Sequence, residues 1–170
     1  MPSQPGRVFT GTDSPGGPLG GDIWFRDSGD IYQFIPPATW SVLAPRRLGI
    51  RHPATASSVD DWAFIADRAY EVKSIKEIHS VAGSDGSAVT ADVRKITDAS
   101  APGAAAGATV LEMLSTALDL KSTANTRVTG TLVTTVADLR LAVNDKIGIN
   151  FAGTLTALAG CVIVIELQAI

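Results

Sequence analysis

Any chemistry in this chain would have to come from very few residues. The sequence holds two histidines, His52 and His79, and one cysteine, Cys161. His79 stands close to Glu77 and Ser80, which together supply the side-chain types of a nucleophilic triad. That trio, however, can be assembled from almost any chain of 170 residues. Asp60-Asp61, and Asp27 with Asp30, are carboxylate pairs of the kind used in glycoside cleavage. Yet Asp60-Asp61 follows Ser57-Ser58 as a linker, and Asp27 and Asp30 flank a tight turn. Cys161 lies in the apolar run Cys161-Val-Ile-Val-Ile165, where a thiol behaves as a small hydrophobe. A lone cysteine also leaves no partner for an intrachain disulfide and no zinc cluster. The glycines from Gly16 to Gly21 neither follow a strand nor open a helix, so they form no phosphate-binding loop. The expectation is a protein that is not an enzyme, with no catalytic, cofactor-binding or metal-ligating residues.

The elements that would position these residues are strands. Val89, Ala91 and Val93 alternate with polar neighbours, as do residues around Val128 and Leu132, and Leu139 to Val143. Ile147, Ile149 and Phe151 share one face, and Cys161 to Leu167 closes the series. Strands at this spacing, with Asn144-Asp145, Gly153 and Gly160 between them, predict an all-β fold: an antiparallel β sandwich of roughly eight strands in jelly-roll topology. Ile147, Ile149, Phe151, Val162, Val164 and Tyr70 are expected to face one apolar core. Tyr70, Val72, Ile75, Ile78 and Val81 fall at nearly helical spacing, although Val and Ile favour a bulged strand. Val110 to Leu114 is compatible with one helical turn.

The first third of the chain is built differently. Eight of the nine prolines and eight of the sixteen glycines lie in residues 1–53. Pro lacks the amide donor and Gly costs backbone entropy, so this stretch cannot build long helices or central strands. It nevertheless carries Trp24, Phe25, Tyr32, Phe34 and Trp40, too many large aromatics for a flexible linker. Residues 1–21 read as an extended tail. Strands at Asp22–Arg26 and Ile31–Ile35, with a third at Trp40–Leu43, make a small ribbon that is marginal alone. The predicted organisation is an N-terminal arm over 1–53 with its ribbon at about 22–43, a linker over 54–63 and a sandwich domain over 64–170.

Net charge is −3. The only basic concentration, Arg46, Arg47, Arg51 and His52, is no nucleic-acid footprint, which needs clustered Lys and Arg on one face. It reads as a solvated linker or as a contact for a phosphate or an acidic partner. No apolar stretch approaches the ~20 residues of a membrane span, and Met1-Pro-Ser-Gln-Pro-Gly has no signal-peptide character. These features predict synthesis in a host cytoplasm, with neither a nucleic-acid nor a membrane partner.

The run Gly21-Asp22-Ile23-Trp24-Phe25-Arg26-Asp27, with Ile31-Tyr32-Gln33-Phe34 and Trp40, resembles a module recurrent in fibre and other virion proteins of tailed bacteriophages. The later segments Phe64–Tyr70, His79–Gly83, Leu118–Lys121, Thr129–Leu132 and Asp145–Gly160 are similar to a family of phage structural β domains. Jelly rolls with extended arms are common among capsid decoration (cement) proteins. The resemblance implies a virion role in capsid or tail; the preferred expectation is a homotrimeric decoration protein on the capsid surface, with the major capsid protein as partner. Trp24, Phe25, Tyr32, Phe34, Trp40, Arg46 and Arg47 are the interface candidates, since a Pro-rich aromatic arm loses little entropy on docking. The alternative is a tail- or head-fibre component for receptor or glycan adsorption, with Trp24, Tyr32 or Trp40 as sugar-stacking platforms. The loops at Gly83–Ser87, Ala99–Gly107 and Thr123–Asn125 are small and free of aromatics, which favours the structural role.

Overall fold

A computed structural model of the protein describes residues 8–11, 23–26, 31–35, 39–44 and 47–170. The chain divides into two compact units, Met1–Arg46 and Arg47–Ile170. In the first, β1 (Val8–Gly11), β2 (Ile23–Arg26), β3 (Ile31–Ile35) and β4 (Thr39–Ala44) form one sheet in that order. β2, β3 and β4 pair antiparallel. The sequence placed Val8–Gly11 in an extended tail, but it pairs parallel with β2. A parallel neighbour reaches its place through a crossover rather than a tight turn. No local turn signal could announce it.

The second unit is a sandwich of two sheets. One runs β5 (Arg47–Ala54), β14 (Cys161–Ala169), β7 (Tyr70–Ile78), with β11 (Val128–Thr129) and β12 (Arg140–Leu141) both on the far side of β7. The other runs β6 (Asp61–Ile65), β13 (Lys146–Ala152), β8 (Thr90–Ile96), with β9 (Val110–Glu112) and β10 (Leu118–Asp119) both on the far side of β8. All of these pairings are antiparallel. If β9 with β10, and β11 with β12, each count as one broken strand, eight strands fill two four-stranded sheets, and the chain changes sheet at every connection except β8 to β9, as in a jelly roll. A single helical turn, α1 (Val136–Leu139), precedes β12.

Two expectations about the unit's boundary change. Residues 47–53, assigned to the arm, form most of β5, an edge strand paired along its length with β14. Leu48, Ile50, His52 and Ala54 are more buried than Arg47, Gly49, Arg51 and Pro53 between them. Pro53 is tolerated because an edge strand can spare one donor. Asp61–Ala63, assigned to the linker, belong to β6.

The core joins Tyr70, Val72 and Ile75 of β7, Ala91 and Val93 of β8, Ile147 and Ile149 of β13, and Cys161, Ile163, Ile165 and Leu167 of β14. The near-helical spacing in β7 has a simple cause. Glu166 pairs with Ser74 and Leu167 with Val72, so one residue bulges out. Side chains 70 and 72 point inward before the bulge; 75 and 77 do so after it. Val162 and Val164 correct the predicted core: they are only half-buried, because the alternate residues of β14 face inward. Phe151 is likewise half-buried, packed against the core's margin. Val110–Glu112 is a strand, not a helical turn.

Candidate functional site

The aromatic interface candidates occupy neighbouring ladder positions of the first unit. Trp24 is the register partner of Tyr32, Phe34 of Trp40, and Phe25 of Ile31. The parallel pairing sets Phe9 opposite Trp24. The side chains of these aromatics lie outside the described residues, as do Arg46, Asp27 and Asp30. Arg47 is exposed at the start of β5 in the second unit. The basic group thus divides: Arg47 and Arg51 are exposed, whereas His52 is buried near Phe151, ring centroids 6.4 Å apart. Burial lowers the pKa of His52, partly opposed by Asp61.

One end of the jelly roll gathers the loops 55–60, 79–89, 120–127 and 153–160. The last three are stitched together by backbone bonds from Gly83 to Leu120, Ser84 to Thr156 and Asn125 to His79. Asp85, the one acid in the plain loops, accepts from the Thr154 amide at 3.0 Å and from Ser87 Oγ at 2.8 Å. These bonds favour its charged form and hold its pKa down to about 2. Lys121 Nζ donates to the Asp85 and Ser87 carbonyls. Beside this network an open groove of about 480 Å³ runs between Ser57, Ser58 and Asp60 on one wall and Thr154 and Leu155 on the other, with Phe151 in its lining.

Under the same end lies a buried polar cluster. His79 Nδ1 is 2.6 Å from Glu77 Oε1, both side chains being wholly buried. His79 Nε2 donates to the Ser122 carbonyl at 3.0 Å. Cys161 Sγ donates to Glu77 Oε1 at 3.7 Å. Glu77 Oε2 and Ser122 Oγ have no hydrogen-bond partner among the described residues. Acid, imidazole and thiol therefore do meet, but not as a nucleophilic set. The thiol bonds the acid rather than the imidazole, and burial with Glu77 alongside pushes its pKa up to about 12. A thiolate nucleophile needs the opposite shift. Ser80 Oγ donates to the Ala159 carbonyl. The other suspected pair also separates: Asp60 caps the Phe151 amide, and Asp61 the amide of Trp62.

A third cluster, invisible in the sequence, forms where β8 pairs with β9. Arg94 Nη2 lies 3.0 Å from Glu112 Oε1 and 3.8 Å from Asp92 Oδ2. Burial, followed by the proximity of Glu112, raises the pKa of Asp92 to about 7. Only the β8–β9 register, which sets Arg94 opposite Glu112, brings these charges together. Reading Val110–Leu114 as a helical turn hid it.

No protein-family model matches the chain, and neither does any curated protein. Among solved structures, it is similar to a chain described as "Structure of infectious bursal disease virus Gx strain", with a TM-score of 0.37 and 13% identity. The likeness covers 85% of this chain but 40% of the viral one, so the protein spans less than half that chain's length. A score of 0.37 is too low for an argument about function to rest on it.

Among the described residues, no group of three or more His, Cys, Asp or Glu is arranged to hold a metal ion. No helix among them is long and apolar enough to cross a membrane.

Proposed function

We propose that the protein is a structural component of a tailed-phage virion: a capsid decoration protein that forms a homotrimer on the capsid surface and clamps neighbouring major capsid subunits. The observation that carries this reading is the character of the first unit. Among the described residues it is a single sheet with aromatics at adjoining ladder positions. A one-layer sheet buries an apolar face only against another surface. The jelly roll supports the same reading, being an architecture shared by viral capsid domains. It shares that architecture with lectins and cupins, so fold alone does not select the role.

The test is co-sedimentation of the full chain with capsids stripped of it. Trp24→Ala and Trp40→Ala are each expected to weaken binding by about 2 kcal/mol, roughly thirtyfold, as interface anchors do. Undiminished binding by both would remove attachment from the first unit. A few copies per particle, confined to the tail, would overturn the decoration reading.

The groove beside Phe151 supports a second reading, a fibre component that adsorbs glycans. Hydroxyls of Ser57, Ser58 and Thr154, the Asp60 carboxylate and an aromatic ring are the groups that recognise a sugar. Saturation-transfer NMR against a panel of free monosaccharides tests it. Enhancement that is lost in Asp60→Asn would favour adsorption, and no enhancement across the panel would count against it.

A further inference from the structure

The connection between β8 and β9, residues 97–109, lies over the outer face of the sheet that carries it. Ile96, next to this connection, is fully buried yet stands apart from the central core. A Cβ placed on Gly148 would come within 3.0 Å of both Ile96 and Pro102, so Pro102 rests on bare backbone. A Cβ on Gly103 would lie 1.9 Å from Asp60 Oδ2, so the strap also touches the approach to β6. The strap's own bonds are local: Thr97 bonds the Thr109 carbonyl at its base, the Ala104 and Gly107 amides bond Ala101 and Val110, Asp98 holds the Ser100 amide and Thr109 Oγ1, and Lys146 Nζ donates to the Asp98 carbonyl. Its middle is tied down by one side chain from below, Arg94, whose Nη1 donates to the Ala104 carbonyl at 2.8 Å.

That same guanidinium serves Glu112 and Asp92 through Nη2. Glu112 Oε2 and Arg94 Nε are buried without hydrogen-bond partners among the described residues. One cation thus faces two carboxyl groups and the strap. We propose that residues 98–109 form a pH-sensitive latch, closed while Asp92 and Glu112 share one proton and loosened when both carboxylates are charged.

With one proton shared, Arg94 neutralises a single negative charge and is free to hold Ala104. With both groups charged, two carboxylates compete for one guanidinium in a half-buried site, and lifting the strap lets water solvate them. The Val93 amide also donates to Asp92 Oδ1 at 3.0 Å, but Arg94 is the cation that offsets its charge. Asn150, the register partner of Asp92 on β13, is uncharged. Within the strap the one charged residue is Asp98, engaged at the other end with Ser100, Thr109 and Lys146. Asp60, beyond Gly103, would add negative charge rather than offset it.

The sign follows from proton linkage. The raised pKa of Asp92, about 7, means that the closed strap binds this proton more tightly than an open, hydrated one. Opening is therefore suppressed at low pH, grows as pH rises from the ordinary carboxylate range toward 7, and levels off above it. Amide hydrogen exchange on the full chain, corrected for intrinsic exchange chemistry, reads this directly. Protection at Ala104 and Gly107, which bond Ala101 and Val110, is expected to fall on the order of fiftyfold between pH 5 and 7 and by no more than about twofold further to pH 8.5. The Asn125 amide, bonded to His79 at the opposite end, should show no such fall. Asp92→Asn should abolish the pH dependence, and Glu112→Gln should shrink it. Equal protection at pH 5 and 7 in the natural sequence, or an unchanged slope in Asp92→Asn, would overturn the latch.

Discussion

Replacing His79 tests how the loop-bearing end of the jelly roll is held. The Ser122 carbonyl can only accept, so His79 Nε2 carries a hydrogen. The 2.6 Å contact between Nδ1 and Glu77 Oε1 needs a second hydrogen, shared between acid and imidazole. His79→Leu removes both bonds and leaves Glu77 enclosed, with only the weak thiol donor of Cys161 beside it. Breaking a buried pair by deleting one member costs about 3–5 kcal/mol. At a urea dependence of about 1.5 kcal/mol per molar, the midpoint should fall by about 2–3 M. The double change Glu77→Leu with His79→Leu removes the stranded acid as well. It forfeits the Ser122 bond, worth about 1 kcal/mol, and should be about 2 kcal/mol more stable than His79→Leu alone. Urea unfolding of the full chain, followed by circular dichroism and by fluorescence, supplies both numbers. A cost below about 1 kcal/mol for His79→Leu, or a double variant no better than the single one, would refute the pairing.

Three further outcomes can be measured. Ile163→Ala should cost about 3–4 kcal/mol and Val164→Ala under about 1.5, because only the former faces the core; equal costs would put the β14 register in error. Cys161, buried and with its thiol pKa pushed up to about 12, should resist a thiol reagent at pH 8 until the chain is unfolded in urea. Rapid labelling of the folded protein would contradict its burial. Ala157 holds φ at 65°, so Ala157→Gly should raise stability by roughly 0.5–1 kcal/mol in the same unfolding assay, and a loss would show that its methyl group packs.

Much of the sandwich was legible because its strands alternate. Ile147, Ile149 and Val93 announced their faces, and the bulge in β7 was within reach of its Val and Ile content. The face of β14 was harder to read, since Cys161 to Ile165 is apolar throughout and carries no period of its own. The signal stood just downstream: Glu166 and Gln168 turn the even positions outward, which forces Ile163 and Ile165 in. β5 was missed because Gly49, Pro53 and two arginines look like a linker, although Leu48, Ile50, His52 and Ala54 alternate beneath them. The cluster of Asp92, Arg94 and Glu112 had no signature at all. It exists through pairing between strands, and a strand does not name its partner in its own composition.

The two flanks of the sandwich are unlike. On one, each sheet ends in a pair of fragments of two or three residues, β9 with β10 and β11 with β12. On the other, β5 and β6 run for eight and five residues. Short fragments present too few consecutive amides and carbonyls to template another chain, whereas a continuous border can. Polymerisation by sheet extension needs both borders of a sheet, so through the sandwich it has nowhere to propagate: two copies that met border to border would cap each other. Even the continuous border is guarded, by the missing amide of Pro53, the exposed Arg47 and Arg51, and the Trp62 amide already taken by Asp61. The sandwich thereby stays free of runaway fibre growth, and any ordered array built through it must be specified by side chains.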